Sequence, residues 1–117
     1  MTTPGAALGH AEGTLTMNEV GASGFHHVAY GCRSLQDTVH FYEELAGLPL
    51  VHTEVKHEFG GMFRHVFFDT GDGSAIAFFA LENVGETPDW KTDHAESVGV
   101  PIWVNHVAFR SSEEQQV

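Results

Sequence analysis

The chain has 117 residues, of which 42% are hydrophobic and 11% aromatic, the composition of one small folded domain or of one and a fragment. Five Lys and Arg residues against 16 Asp and Glu give a formal net charge of −11, a field that repels phosphate backbones and anionic lipid surfaces. We therefore expect neither nucleic acid nor a membrane as partner. The single cysteine, Cys32, cannot form an internal disulfide, which favours a reducing, cytoplasmic location.

The chain is predicted to begin with a leader and a strand. Residues 1–24 are rich in Gly, Ala, Thr and Ser without a hydrophobic period, and they lack the basic start of a signal peptide. We interpret them as a flexible leader. From Phe25 the pattern becomes β-branched and aromatic, and "FHHVAYGC" (25–32) is predicted to be a strand.

A helix is predicted next, in "SLQDTVHFYEELAGL". Ser34 stands three residues before Asp37, the spacing of an N-cap with an acidic first turn. Gly47 is predicted to end the helix as its C-terminal cap. An apolar stripe along one side of this helix is predicted to pack on the sheet, and it consists of Leu35, Val39, Tyr42 and Leu45.

Three strands are predicted after the helix, over 50–59, 62–70 and 74–82. Glycine pairs separate them, including "GDG" at 71–73, because glycine supplies the positive φ of hairpin turns. Residues 25–82 therefore form a predicted strand-helix-strand-strand-strand unit, βαβββ.

The remainder is predicted to be a linker and the beginning of a second unit. Residues 83–100 are polar and aperiodic, with a short helical turn at "DHAES". Residues 101–117 start with a predicted strand, 101–110, and continue as the capped start of a helix.

A short repeat connects the two predicted units. The letters "HVAY" at 27–30 return as "HVAF" at 106–109, and a helix start follows each copy. We interpret this as one supersecondary unit whose second copy begins and is truncated within this chain. Chance similarity between two strands is the alternative interpretation.

The segments "HHVAYGCRSLQDTVHFYEELAGLPLV", "FDTGDGSAIAFFALE" and "NHVAFR" resemble the vicinal oxygen chelate superfamily. This superfamily includes glyoxalase I, extradiol dioxygenases, bleomycin resistance proteins and methylmalonyl-CoA epimerase. The resemblance implies an α+β fold, in which paired βαβββ modules form a cupped mixed sheet around a divalent metal ion. In this chain the second of the paired modules would be truncated.

The resemblance also implies metal ligands. The first strand of each module supplies a histidine in this family, which corresponds to His27 and His106. The carboxylate of glyoxalase-type sites would fall near Ala77, which cannot bind metal, and Glu82 is expected on the opposite face of its strand. The pattern then resembles extradiol dioxygenases, whose third ligand would lie beyond residue 117.

A metal-dependent enzyme that cleaves the ring of a small aromatic diol is therefore the favoured implication. The resemblance implies Fe²⁺ or Mn²⁺ as the favoured metal and Zn²⁺ or Ni²⁺ as the alternative, and the histidines alone do not choose among them. Two histidines and a carboxylate leave three positions open on Fe²⁺, where a diol can chelate while O₂ takes the remaining one, whereas the other metals would act as Lewis acids. The alternative functions are a glyoxalase-like or epimerase-like lyase or isomerase, and a metal-free small-molecule binding protein of the bleomycin-resistance kind.

Two further histidines and the oligomeric state complete the hypothesis. His65 shares a strand face with Phe63 and Phe67, where it could act on a substrate as an acid–base group, the alternative being a structural histidine. His26 is expected to point away from His27 because neighbours on a strand face opposite ways. One module alone leaves a sheet face and an edge uncovered, so we expect either a truncated piece of a longer protein, which is the favoured interpretation, or a homodimer in which a second copy covers the face.

Overall fold

A computed structural model describes residues 21–112 of the chain. Nearly all of the predicted leader, and the body of the predicted helix after Ser112, lie outside these residues. Within them, no helix has the length and apolar character that crossing a membrane requires.

The elements confirm the α+β class and the βαβββ order of the first module. Their sheet has the strand order β1-β4-β3-β2, in which β1 pairs with β4 in parallel and the other neighbours are antiparallel. The elements are β1 (His27–Cys32), α1 (Leu35–Val39) with a π-helical continuation (His40–Leu45), β2 (Leu50–Glu58), β3 (Gly61–Asp69), β4 (Ala75–Glu82) and α2 (His94–Ser97).

Both predicted ends of the long helix are confirmed. The Ser34 hydroxyl accepts a hydrogen bond from the Asp37 backbone N–H at 3.1 Å, which satisfies one of the free donors of the first turn. Gly47 has a φ of +77° directly after the last helical residues, the left-handed conformation in which glycine ends helices.

The predicted apolar stripe is wrong at Leu45, whose side chain is 66% exposed. The cause is the π-helical continuation, in which the Ala46 N–H bonds to the Phe41 carbonyl at 2.8 Å, five residues back. A π-helical turn holds more residues than an α turn, so a residue three positions after Tyr42 no longer returns to the packed side.

The helix covers one face of the sheet and makes the core there. Phe68 is fully buried, and the ring of Tyr42 packs on Phe78 with the ring centroids 4.7 Å apart. Successive side chains of a strand point to opposite faces of the sheet, so every second residue lies on this helix-side face. Its buried members are Cys32, Val66, Phe68, Ile76 and Phe78.

The predicted linker contains the expected helical turn, α2, and it is also packed. The Asp93 carboxylate accepts from the Glu96 N–H at 2.9 Å as the N-cap of α2, and Ala95 is fully buried. The Trp90 ring lies against Gly31 of β1, where an added Cβ would stand 2.9 Å from the ring. The segment therefore closes the end of the sheet next to β1.

The predicted strand over 101–110 is wrong, because these residues pair with no described strand. The Val104 N–H instead bonds to the Pro101 carbonyl at 3.0 Å, which closes a turn and diverts the chain from an extended course. Every residue of the segment is exposed, including Trp103 at 74%. The assignment of 101–117 to a second module remains a prediction.

Candidate functional site

No helix of the described residues covers the second face of the sheet, and this face holds the candidate site. Residues paired across neighbouring strands share a face, so the register defines its members. We call this surface the open face. It is formed by His27 and Ala29 of β1, Ala77 and Phe79 of β4, Phe63, His65 and Phe67 of β3, and His52 and Glu54 of β2.

His65 lies at the centre of the open face and is only 8% exposed. Its imidazole stacks on the Phe79 ring with centroids 3.7 Å apart and an interplanar angle of 14°, and the Phe67 ring lies 4.2 Å away. These rings bury the histidine although no further layer covers the sheet. The buried Nε2 atom of His65 has no hydrogen-bond partner in the described part of the chain.

Burial lowers the pKa of His65 below its usual value, because the charged imidazolium loses its hydration there. The carboxylate of Glu54 acts in the opposite direction, while His27 and His52 add to the decrease in the pKa. His65 is therefore a neutral imidazole at pH 7. In this form one ring nitrogen can accept a proton and the other can donate one.

A histidine–carboxylate pair lies on β2 beside His65. The His52 Nε2 and Glu54 Oε2 atoms are 3.0 Å apart, and Glu54 is the direct cross-strand neighbour of His65. The hydrogen bond from His52 lowers the pKa of Glu54. The pair therefore places an ionised carboxylate at the border of the aromatic part of the open face.

His27 stands at the start of β1 on the same face, exposed to solvent. Its ring lies 5.3 Å from Phe67 and 6.5 Å from His65 between centroids. The expected separation from His26 is wrong, since the Nδ1 atoms of His26 and His27 are 2.8 Å apart. His26 precedes the strand, so the alternation of strand side chains does not apply to it.

His106 does not join His27 in the structure. It lines a cleft on the helix side of the sheet, together with Tyr42 and Phe78, whereas His27 lines a cleft with His52 and Glu54. Residues 21–112 contain no group of three or more His, Cys, Asp or Glu side chains that could hold a metal ion. These residues therefore do not by themselves fit a metal centre, and the two assigned ligands stay a prediction.

The strand register confirms the predicted faces of Ala77, Glu82 and Phe67. Ala77 lies on the open face, fully buried, and Glu82 pairs with Met62 on the other face, as the alternation predicted. The pairing of Phe67 with His65 on one face is likewise confirmed.

Three members of the site were not predicted from the sequence: His52, Glu54 and Phe79. Their signal is the same two-residue period that identified His65, because each side chain alternates toward the open face. The period alone does not say which strands are neighbours. The β3–β4 and β2–β3 registers supply that information, by pairing His65 with Phe79 and with Glu54.

The fold and the open face together define a βαβββ module with an aromatic, histidine-bearing sheet surface turned away from its helix. A family model of the Glyoxalase/Bleomycin resistance protein/Dioxygenase superfamily matches residues 24–116. The chain belongs to this superfamily. No curated protein and no solved structure gives a significant match to the chain.

Proposed function

We propose that the open face binds a small planar molecule, and that His65 exchanges a proton with it. The observation that supports this proposal best is the Nε2 atom of His65, which is buried among aromatic rings and has no hydrogen-bond partner within residues 21–112. Leaving a buried polar group without a partner costs about 1–3 kcal/mol of stability. We attribute this cost to function, because a bound ligand would supply the missing partner.

The aromatic surroundings of His65 suggest the class of ligand. Phe67 is partly exposed, so its ring can move aside and admit a flat molecule toward the imidazole. Aromatic rings favour offset or edge contacts with another ring. We propose a small aromatic diol, whose ring would contact Phe67 and whose hydroxyl group would reach the buried Nε2 atom once the Phe67 ring has moved aside.

The chemistry of His65 follows from its neutral state. A neutral imidazole within hydrogen-bond reach of a phenolic hydroxyl can accept its proton, which is general base catalysis. Its lowered pKa keeps this acceptor available at pH 7. Ring cleavage of an aromatic diol requires such a proton acceptor. A lyase or isomerase reaction that removes a proton from its substrate requires one as well.

The second candidate is metal-dependent catalysis, for which His27 is the favouring observation. Its exposed imidazole stands at the edge of the same face, 6.5 Å from His65 between ring centroids. A bound Fe²⁺ or Mn²⁺ ion would supply Lewis-acid or redox chemistry there. Because His106 of the same chain lines the helix side of the sheet, the further ligands would come from His106 of a second copy and from residues outside the described range.

Native mass spectrometry after loading with Mn²⁺ tests the second candidate, because it gives the metal stoichiometry and the mass of the expected homodimer together. The metal-dependent candidate predicts that His27→Ala and His106→Ala both lose the bound ion. The matched control is His57→Ala, an exposed histidine of β2 whose partner Met62 lies outside the open face. Wild-type stoichiometry in both variants would show that the ligand assignment is wrong.

A further inference from the structure

A cleft at the far end of the sheet contains two arginines that the proposed function does not use. It has a volume of about 480 Å³ and lies where β1 leads into α1, against the end of β4 and the segment after it. Arg33 and Arg64 both line this cleft, with Asn83, Glu86 and Trp90. His27 is six residues from Arg33 along an extended strand, roughly 20 Å, so the two sites are separate.

Neither guanidinium group has a carboxylate partner among the residues that the structure describes. Within residues 21–112 the two ion pairs belong to His40 with Glu44 and to His52 with Glu54. The chain carries only five Lys and Arg residues against 16 Asp and Glu, so two unpaired arginines in one cleft stand out from an acidic surface. Their charges are available to a ligand.

Arg33 is held in place by an aromatic ring. Its Cζ atom lies 4.1 Å from the centroid of the Trp90 ring, the geometry of a cation–π contact. The ring can lie there because residue 31 is glycine: a Cβ at Gly31 would be 2.9 Å from Trp90. The guanidinium is therefore positioned before any ligand arrives.

The carboxylate of Glu86, which also lines the cleft, is engaged by its own loop. Its two oxygens accept hydrogen bonds from the backbone N–H groups of Asn83 and Val84, at 3.0 and 2.9 Å. Hydrogen bonds from the backbone N–H of Glu86 itself, and from those of Val84 and Asn83, lower the pKa of Glu86, so the group is ionised and directed at the turn. The two positive charges of Arg33 and Arg64 therefore exceed the single negative charge of Glu86 in this cleft.

We propose that this cleft binds a small molecule through an oxyanion, a phosphate or a carboxylate, held by Arg33 and Arg64. Guanidinium groups match such anions with paired N–H donors, which gives direction as well as charge. A cleft of this size also has room for the rest of a small organic ligand.

Trp90 fluorescence provides the test, in a Trp103→Phe background that removes the other tryptophan. The probes are inorganic phosphate and succinate at low ionic strength, which separate a phosphate site from a carboxylate site. We expect a saturable change in emission with at least one of them. Arg33→Gln and Arg64→Gln are each expected to weaken binding by about fivefold or more.

Lys91→Gln is the matched control, because it removes the same charge next to Trp90 in sequence from a residue that does not line the cleft. Its binding should stay within about twofold of the parent. The proposal is overturned if Lys91→Gln weakens binding as much as the arginine variants, if the arginine variants bind like the parent, or if neither probe produces a saturable change.

Discussion

Gly61→Ala is expected to destabilise the fold severely at 25 °C, and far more than the same change at Gly60. Gly61 begins β3, and a Cβ built there overlaps the backbone carbonyl oxygens of Glu82 and Asn83 at the end of β4. Backbone atoms in a paired sheet cannot turn away as a flexible side chain can. The β3–β4 pairing must separate locally, and we expect a loss of more than about 3 kcal/mol in the free energy of unfolding.

The neighbouring glycine provides the control for this prediction. Gly60 has a φ of +82°, but an added Cβ there meets nothing within 4 Å. Gly60→Ala should therefore cost only the left-handed backbone strain, about 1–2 kcal/mol. Urea unfolding followed by circular dichroism measures both variants. Equal losses for Gly60→Ala and Gly61→Ala would contradict the close approach of β3 to the end of β4.

His65→Phe is expected to weaken ligand binding at the open face while it stabilises the fold. Phenylalanine keeps the stacking on Phe79 and removes the unpartnered Nε2 atom, so the free energy of unfolding should rise by about 1 kcal/mol. The same change removes the proposed proton acceptor, and the affinity for catechol should fall by about tenfold or more.

The stability gain of His65→Phe should depend on pH. The pKa of His65 in the folded protein lies below its unfolded value of 6.5, so the unfolded chain takes up the proton first as the pH falls. Above that value both states are neutral and the titration contributes nothing. Between about pH 7 and pH 5 the wild type loses stability through this group, and the difference from His65→Phe should grow.

His52→Phe is the matched control, because His52 is exposed and its Nε2 atom already has Glu54 as partner. This variant should show neither the gain in stability nor the same dependence on pH. Urea unfolding series at pH 5, 6 and 7 compare the three proteins. A constant difference between His65→Phe and wild type across this range would contradict the lowered pKa of His65.

Local patterns were sufficient to predict most of the first module. The cap at Ser34, the end of the helix at Gly47 and the glycine turn at 71–73 each depend on a few neighbouring residues, and the structure confirms them. The alternation in β3 likewise placed Phe67 and His65 on one face. Such features are decided by steric and hydrogen-bonding preferences within one or two turns of the chain.

The features that the sequence did not predict depend on distant contacts. Leu45 becomes exposed because the helix widens into a π turn, which the apolar spacing does not reveal. The contact of Trp90 with Gly31 joins a polar segment to β1 and has no periodic signal. The segment 101–110 has the composition of a strand, but a strand also needs a partner, and the described residues provide none.

The proposed site at His65 is tested most directly by titrating catechol into protein that carries ¹⁵N-labelled histidine. We predict that the Nε2 resonance of His65 shifts with a saturable dependence on catechol, while the resonances of His57, outside the open face, stay in place. The account is contradicted if catechol leaves the His65 resonance unmoved, or if His57 shifts as far as His65.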